Sequence, residues 1–545
     1  MSKKEHSRQL LSSSTLPPLP STLYPLATSL LLILSYPKFS QGALAWFALA
    51  PLVYSILSCK TLKAALMRGF GSGFFFYLGL LYWIYPTLRA GGVEPGFSAL
   101  ALLLLAALLA FEFLLVSGFG FYLKKAGAGV FPYVFAAAWA VMEWAKITVS
   151  YKAAWFPWFT LAYTQWQYKE IIQIVSVTGL YGLSFAIALS GALAGALIYK
   201  KEKPLKALIK FSPALVLFSG LWLYGAGELE KADSVVFKAP LKASLLQPSI
   251  DLYAKWDAGQ AAAIEEKING LVKGIEKTDL IVWPENALPC WIEEKHCGAW
   301  VSRIAKEKQV ANFVGSVSRG DGAHVAAFLI NSSGRVTARY YKRVLVPFGE
   351  YVPLRDFLGR YIKPVAAMGE FLPGEFSQPL MEVRQQESKR ARKQESKRAG
   401  QLESAAAKAQ ESKSVKIAGV ICYESIFPFL FRQDAAKGAE IFANITNDGW
   451  YLNTAAPYQH LLVNIFRAVE TRRPVLRAAN NGISAYIDPW GRGRQRLWLN
   501  RVGVLNVEVK LAAEPVESFY VRNGDLFADA CIMLCAAFLL AVLFL

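Results

Sequence analysis

The sequence predicts a multi-span α-helical membrane bundle followed by a polar domain of interleaved strands and helices, an α/β sandwich. Three observations predict it. Apolar runs of near-span length crowd residues 23–226, the polar stretch 227–527 alternates β-rich with helical segments, and a further apolar run occupies 528–545. A hydrophobic fraction of 54% and a mean hydropathy of +0.30 lie above those of ordinary soluble domains.

The candidate spans are 23–35, 42–58, 66–85, 96–122, 130–146, 171–199, 206–226 and 528–545. A hydrocarbon core of about 30 Å needs ~20 helical residues, and most of these runs come close. The first is short and interrupted by Pro25 and Pro37. Residues 1–22 form a basic N-terminal segment with no small-residue cleavage site after the apolar run, so the first span is expected to remain as an anchor. Gly, Ala and Ser recur in the third, fourth and sixth runs, as where membrane helices approach closely. Tyr82, Trp83 and Tyr85, then Trp155, Trp158 and Trp166, cluster near run ends as an interfacial belt does. With the N-terminus cytoplasmic, thirteen Lys and Arg fall in inner loops against five in outer ones, Lys146 among the latter. Seven spans then place 227–527 outside the cytoplasm. Glu112 and Glu143 lie in or at the end of apolar runs; intramembrane carboxylates are functional candidates, although Glu143 beside Lys146 also suits a plain interfacial pair.

In the polar domain, strands are expected at 242–247, 279–283, 311–316, 324–331, 336–342, 416–421, 440–445, 475–479, 484–488 and 503–508. Helices are expected at 257–276, 298–308 and 456–472, and Asn331-Ser-Ser-Gly334 reads as a hairpin turn. Residues 384–416 differ: three Gln-Glu-Ser-Lys repeats, no aromatics, and ten Lys/Arg against four Glu. Such a tract buries no core and is expected to be a basic insert without a catalytic role.

The net charge of +19 sits largely in the inner loops and this insert, and no nucleic-acid motif accompanies it. Six cysteines are too few for a disulfide scaffold. Cys59, Cys531 and Cys535 fall in or beside apolar runs as small packing residues. Cys290 and Cys297 are near neighbours outside the membrane, where an oxidising compartment allows pairing; sequence leaves both states open. His6, His296, His324 and His460 are scattered without ligand spacing, so no metal is expected.

Three segments carry reactive side chains beside apolar, strand-like runs: Glu285 after Asp279-Leu-Ile-Val-Trp-Pro, Lys342 in Tyr340-Tyr-Lys-Arg-Val-Leu-Val-Pro-Phe-Gly-Glu350, and Cys422 after Ile417-Ala-Gly-Val-Ile. If those runs are adjacent strands, the three heads meet at their ends. A thiol is the natural nucleophile, a partly buried carboxylate its proton acceptor, and a fixed ammonium a partner for a developing oxyanion. Taken singly, each residue fits packing or surface equally well.

Trp283-Pro-Glu285, Lys342-Arg-Val-Leu-Val-Pro-Phe-Gly-Glu350 and Cys422-Tyr-Glu-Ser425, in that order, resemble the nitrilase superfamily of Glu–Lys–Cys enzymes. With the bundle before this domain and one span after it, the chain resembles the apolipoprotein N-acyltransferase family. Leu246–Trp256, Asn444–Trp450 and Arg477–Ser484 add to the likeness. The resemblance implies a nitrilase-like α-β-β-α sandwich with Glu285 as proton acceptor, Lys342 as oxyanion stabiliser and Cys422 as the acylated residue. It implies supporting roles for Glu350, Tyr423 and Glu424, and substrate contacts from Trp256, Asn447, Asp448 and Trp450. It further implies a phospholipid acyl donor, a diacylated apolipoprotein acceptor, no cofactor or metal, and a bacterial inner membrane with the catalytic domain on the periplasmic side. The rivals are a membrane-tethered amidase with the same triad, which needs one span rather than seven, and a transporter, for which no internal repeat is visible.

Overall fold

The computed structural model describes residues 23–127, 129–152, 155–252, 258–353, 355, 370–384 and 414–543. The apolar runs fold as helices: Leu23–Ser35, Ala50–Ser58, Leu62–Leu80, Ile84–Ala90, Pro95–Leu123, Phe131–Lys152, Val175–Lys200, Pro204–Asp233 and Leu526–Leu543. Three of them, Pro95–Leu123, Val175–Lys200 and Pro204–Asp233, are individually long and apolar enough to cross a membrane. The expected third span is not one continuous helix. It bends by 46° between Leu62–Leu80 and Ile84–Ala90. Pro86 explains the break: it lacks an N–H, and in a continuous helix its ring would meet the carbonyl of Tyr82. The break turns Trp83 inward, where its Nε1 donates to Gln459 Oε1 at 3.1 Å. Leu23–Ser35, of 13 residues, reaches only about 20 Å.

The polar domain holds two six-stranded sheets. Its strands are β1 (Leu241–Gln247), β2 (Leu280–Val282), β3 (Ala311–Ser318), β4 (His324–Ile330), β5 (Val336–Tyr341) and β6 (Met381–Arg384), then β7 (Ser414–Ile421), β8 (Ile441–Thr446), β9 (Val475–Ala479), β10 (Ser484–Ile487), β11 (Gly493–Leu497) and β12 (Gly503–Val509). The first sheet runs β12-β1-β2-β3-β4-β5 and the second β11-β10-β9-β8-β7-β6. β2 pairs parallel with β1 and β3, and β8 parallel with β7 and β9, so the carboxyl ends of these strands point the same way within each sheet. Inner faces rich in Leu, Val, Ile and Ala meet in one buried layer that includes Leu245, Val282, Phe313, Ile417, Ile445 and Leu476.

Helices Ala261–Lys273 and Lys295–Lys308 cover the first sheet through Ile264, Ile268, Trp300 and Ile304. On the second sheet lie Pro428–Ala436 and Ala456–Thr471. The latter is buried along nearly its whole length because the bundle covers its other side; Leu462, Val463 and Phe466 share one core with Val175, Leu180 and Tyr163. Polar locks fix the contact. Arg472 donates to Gln173 Oε1 at 2.6 Å, Ser176 Oγ at 3.0 Å and Glu228 Oε2 at 3.1 Å.

The expected α/β sandwich is therefore present as an α-β-β-α arrangement. Two elements correct the basic tract: Arg384 closes β6 and Ser414 opens β7, and the two pair antiparallel. The insert thus leaves and returns between neighbouring strands, and 385–413 lie outside the described residues. Cys290 and Cys297 are disulfide-bonded, whereas Cys422 is a free, buried thiol.

Candidate functional site

Glu285 sits just past β2, Lys342 directly after β5, and Cys422 directly after β7. Two of the segments stay on their sheet beyond the last strand residue: Trp283 N donates to Phe313 O at 2.8 Å, and Lys342 N to Val325 O at 2.9 Å. Facing strand ends thus bring the three heads together, and all three are buried. Lys342 Nζ donates to Glu285 Oε1 at 3.3 Å and to Glu350 Oε1 at 2.5 Å. The other oxygen of Glu285 accepts from the Asn447 backbone N at 2.9 Å, and that of Glu350 from Val346 N at 2.8 Å. Lys342 is held from both sides.

Electrostatics follow from this geometry. Burial disfavours the charged form of Lys342, but Glu350 and Glu285 outweigh it and hold the ammonium above the usual lysine range. Burial, reinforced by the Glu285 charge, pushes the Cys422 thiol well up, while Lys342 and a hydrogen bond with Thr446 oppose the rise. The resting cysteine is a neutral thiol that needs a base. The Glu285 charge and the Cys422 thiol are coupled with a definite sign. Glu285→Gln removes a charge that raises the thiol pKa, so alkylation of Cys422 by a small haloacetamide should begin at lower pH than in the parent, although turnover falls. An unchanged or higher onset would contradict this coupling.

Cys422 is itself a backbone outlier, with φ of 51° at the entry to the short 3₁₀ turn Cys422–Ile426. Two clamps hold it. Glu424 accepts from Ile421 N at 2.7 Å, Arg343 N at 2.5 Å and the Tyr340 hydroxyl at 2.8 Å, tying the cysteine turn to the lysine strand. His460 Nε2 lies 3.1 Å from the Cys422 carbonyl oxygen, and its Nδ1 lies 2.9 Å from Asp448 Oδ1.

Gly315, in β3, allows the close approach behind Glu285: a Cβ there would lie 2.3 Å from Pro284 O and 2.8 Å from Glu285 Cα. Gly315→Ala must therefore move Glu285. A displacement near 1 Å costs roughly 10²-fold in rate, and steady-state turnover with an unchanged melting temperature would isolate that effect.

The remaining expected residues are distributed unevenly. Tyr423 is buried with its ring against Phe156 and Trp158 of the bundle, at centroid distances of 6.4 and 6.5 Å. Asn447 holds Glu285: besides its backbone donation to that carboxylate, its side chain accepts from Gly449 N and Asn480 Nδ2. Asp448 is expected to contact substrate. It is buried, with its oxygens taken by Arg477 Nη2 at 2.8 Å and by His460. Burial opposes its charge, yet Arg477 and His460 hold its carboxyl below the usual range. Trp450 is 49% exposed on the turn Asp448–Tyr451, and Trp256 lies outside the described residues.

Sequence reasoning did not assign Thr446, His460, Arg477 or the aromatic wall of Trp83, Phe156 and Trp158 to the site. Trp83 and Trp158 pack on Tyr451 at 5.0 and 5.8 Å and share Gln459 as acceptor. The sequence reading put Trp83, Trp155 and Trp158 in an interfacial belt instead. Among the described residues no group of three or more His, Cys, Asp or Glu forms a metal-binding cluster.

Comparison with known proteins places both halves. Residues 242–513 match the carbon-nitrogen hydrolase family, and 28–193 match the apolipoprotein N-acyltransferase N-terminal domain. The apolipoprotein N-acyltransferase of Geobacter metallireducens is 34% identical over 523 residues, 93% of this chain and 92% of that one. Its counterpart from Azotobacter vinelandii is 31% identical over 504 residues, covering 91% and 90%. That from Brucella melitensis is 31% identical over 494 residues, covering 87% and 84%. With a nitrilase-like domain behind an apolar helical one and this match along nearly its whole length, the chain belongs to the apolipoprotein N-acyltransferase family.

Proposed function

We propose that the enzyme moves the sn-1 acyl chain of a membrane phospholipid onto the N-terminal α-amino group of an S-diacylglyceryl-cysteine in an apolipoprotein, through a thioester on Cys422. Glu285 takes the thiol proton as sulfur attacks the ester carbonyl, and the Lys342 ammonium faces the oxyanion. Collapse expels the lysophospholipid alkoxide, which recovers the proton from Glu285. The acceptor amine then attacks the thioester, Glu285 takes its proton, and the thiolate leaves and is reprotonated. Ester to thioester is nearly balanced and thioester to amide runs downhill, so no nucleotide is required.

In this reading Glu350 and Asn447 position the lysine and the base, Glu424 and Asp448 position the cysteine, and Tyr423, Trp450 and Trp256 meet substrate. Residues 23–226 form the membrane domain, 227–527 the catalytic domain on the periplasmic side of a bacterial inner membrane, and 528–545 a last span. The N-terminus is cytoplasmic. The donor is a phospholipid, the acceptor a diacylated apolipoprotein, and neither metal nor nucleic acid takes part. The observation that carries the reading is the juxtaposition of Cys422, whose neighbour Tyr423 stacks on Phe156 and Trp158, with apolar surface supplied by the bundle. A small-amide hydrolase has no use for that wall.

The test uses the full chain in phospholipid nanodiscs labelled in the sn-1 chain. Added diacylated lipopeptide is expected to gain the label as an amide while lysophospholipid accumulates. Hydrolysis of a small amide without label on the lipopeptide would instead establish the amidase.

A further inference from the structure

Two carboxylates inside the bundle grip one segment near both ends. Glu112, on helix Pro95–Leu123, accepts from the Tyr77 hydroxyl at 2.5 Å, Lys146 Nζ at 3.2 Å and Trp155 Nε1 at 2.8 Å. Glu143, on helix Phe131–Lys152, accepts through Oε1 from Trp139 Nε1 at 2.9 Å and from Leu161 N at 2.8 Å. Lys146, expected from sequence to be an outer-loop cation beside Glu143, is buried and pairs with Glu112 instead. The second oxygen of Glu143 is buried, and Ser184 lies beside the carboxylate. It borders a small cavity lined also by Tyr36, Tyr77, Lys146 and Phe159.

Charges and polar groups buried inside a membrane helix bundle are costly and mark function. Between the two grips runs 155–161. Within it Phe156 and Trp158 stack at 5.4 Å with planes 4° apart, both rings lie against Tyr423, and Trp158 meets His460 at 5.6 Å. Ser184 Oγ fixes the next residue by accepting from Ala162 N at 3.1 Å. The carboxylates touch none of the three reactive heads. Their hydrogen bonds reach the site through this segment.

We propose that Glu112 and Glu143 are positioning residues that set the Phe156–Trp158 wall beside Cys422, and so determine which acyl chains fit against the thiol. The inference rests on the acylation of Cys422 argued above. Loss of stability alone slows all donors alike, whereas a displaced wall changes the ratio between them.

The experiment measures acylation of Cys422 in the full chain, with two phosphatidylethanolamines carrying sixteen- and ten-carbon chains. Glu143→Leu and Trp155→Phe, which remove one grip each, are expected to change the ratio of the two rates by ~5-fold or more, within the range one pocket's apolar contacts command. Glu143→Gln, whose amide oxygen still accepts from Leu161, should keep the ratio within about 2-fold. Gly195→Ala, whose Cβ would lie 2.6 Å from Ala50 O and 2.8 Å from Val53 Cβ, neither of which belongs to the 155–161 segment or its grips, should lower stability without moving the ratio. Trp155→Phe keeps a ring in place and reports even if Glu143→Leu does not fold. An unchanged ratio in Trp155→Phe, or an equal change in Gly195→Ala, would overturn the inference while acylation itself stands. A parent protein that takes up neither chain would overturn the acylation reading and this inference together.

Discussion

Lys342→Met is expected to lower acyl transfer by ~10²–10³-fold, the usual effect of losing one oxyanion donor, and to destabilise the protein by about 3–5 kcal/mol, the cost of stripping one partner from a buried ion pair. Methionine is uncharged, unbranched and one heavy atom shorter, so the loss is chiefly one of charge. Lys342 is fully buried between Glu285 and Glu350, and burial already holds the Glu350 carboxyl above the usual range despite the ammonium beside it. Without that cation two carboxylates face each other in a dry site, and one must take up a proton. The sign of the pH dependence follows. A carboxyl whose folded pKa is raised contributes stability below its unfolded pKa and loses it as pH rises through the folded value. The deficit of Lys342→Met should therefore be smaller near pH 5 than near pH 8. Thermal unfolding of parent and variant at both pH values measures this. Equal melting temperatures near pH 8 would show that the lysine is not the counter-charge described here.

Glu424→Ala is expected to cost at least ~10² in the rate of Cys422 acylation, by misplacing the thiol. Glu424 is fully buried and accepts from Ile421 N, Arg343 N, Val344 N and the Tyr340 hydroxyl. Alanine orphans these donors, at ~1–3 kcal/mol for each that finds no water. It also releases Cys422 from its left-handed backbone, a conformation that costs a non-glycine residue about 1–2 kcal/mol and persists only where its surroundings impose it. Glu424→Gln retains one acceptor oxygen and should fall between parent and alanine variant. Single-turnover acylation with melting temperature separates placement from stability. A Glu424→Ala protein that acylates at the parent rate would show that the turn is held by other contacts.

The parts of this fold that sequence made legible are those whose pattern is local. β3 and β4 are apolar, β-branched and bounded by turn residues, and the reactive residues stand next to such runs. β6 and β11 were not legible because they are short edge strands of polar composition, one beside the basic tract and the other reading Gly-Arg-Gln-Arg-Leu. Helix Pro428–Ala436 was missed for a similar reason, a single short element between loops.

The site divides in the same way. Glu285, Lys342 and Cys422 have motifs, so their meeting was foreseeable once their strands were taken as neighbours. Asp448 sits in a recognisable loop, but its capture by Arg477 and His460 arises from packing of β9 and helix Ala456–Thr471. His460 looked like one of four scattered histidines because its partners are distant in sequence. Lys146 pairs with a carboxylate on another helix and not with its neighbour in sequence. A charge count treats every cation near a span end alike and has no access to such pairing.

The most direct test of the central claim is intact-mass analysis of the full chain after incubation with phospholipid alone. The account predicts a single added acyl chain, mapped to Cys422, that disappears when a diacylated lipopeptide is supplied. Parent protein that never gains this mass, or gains it undiminished in a Cys422→Ala variant, would contradict it.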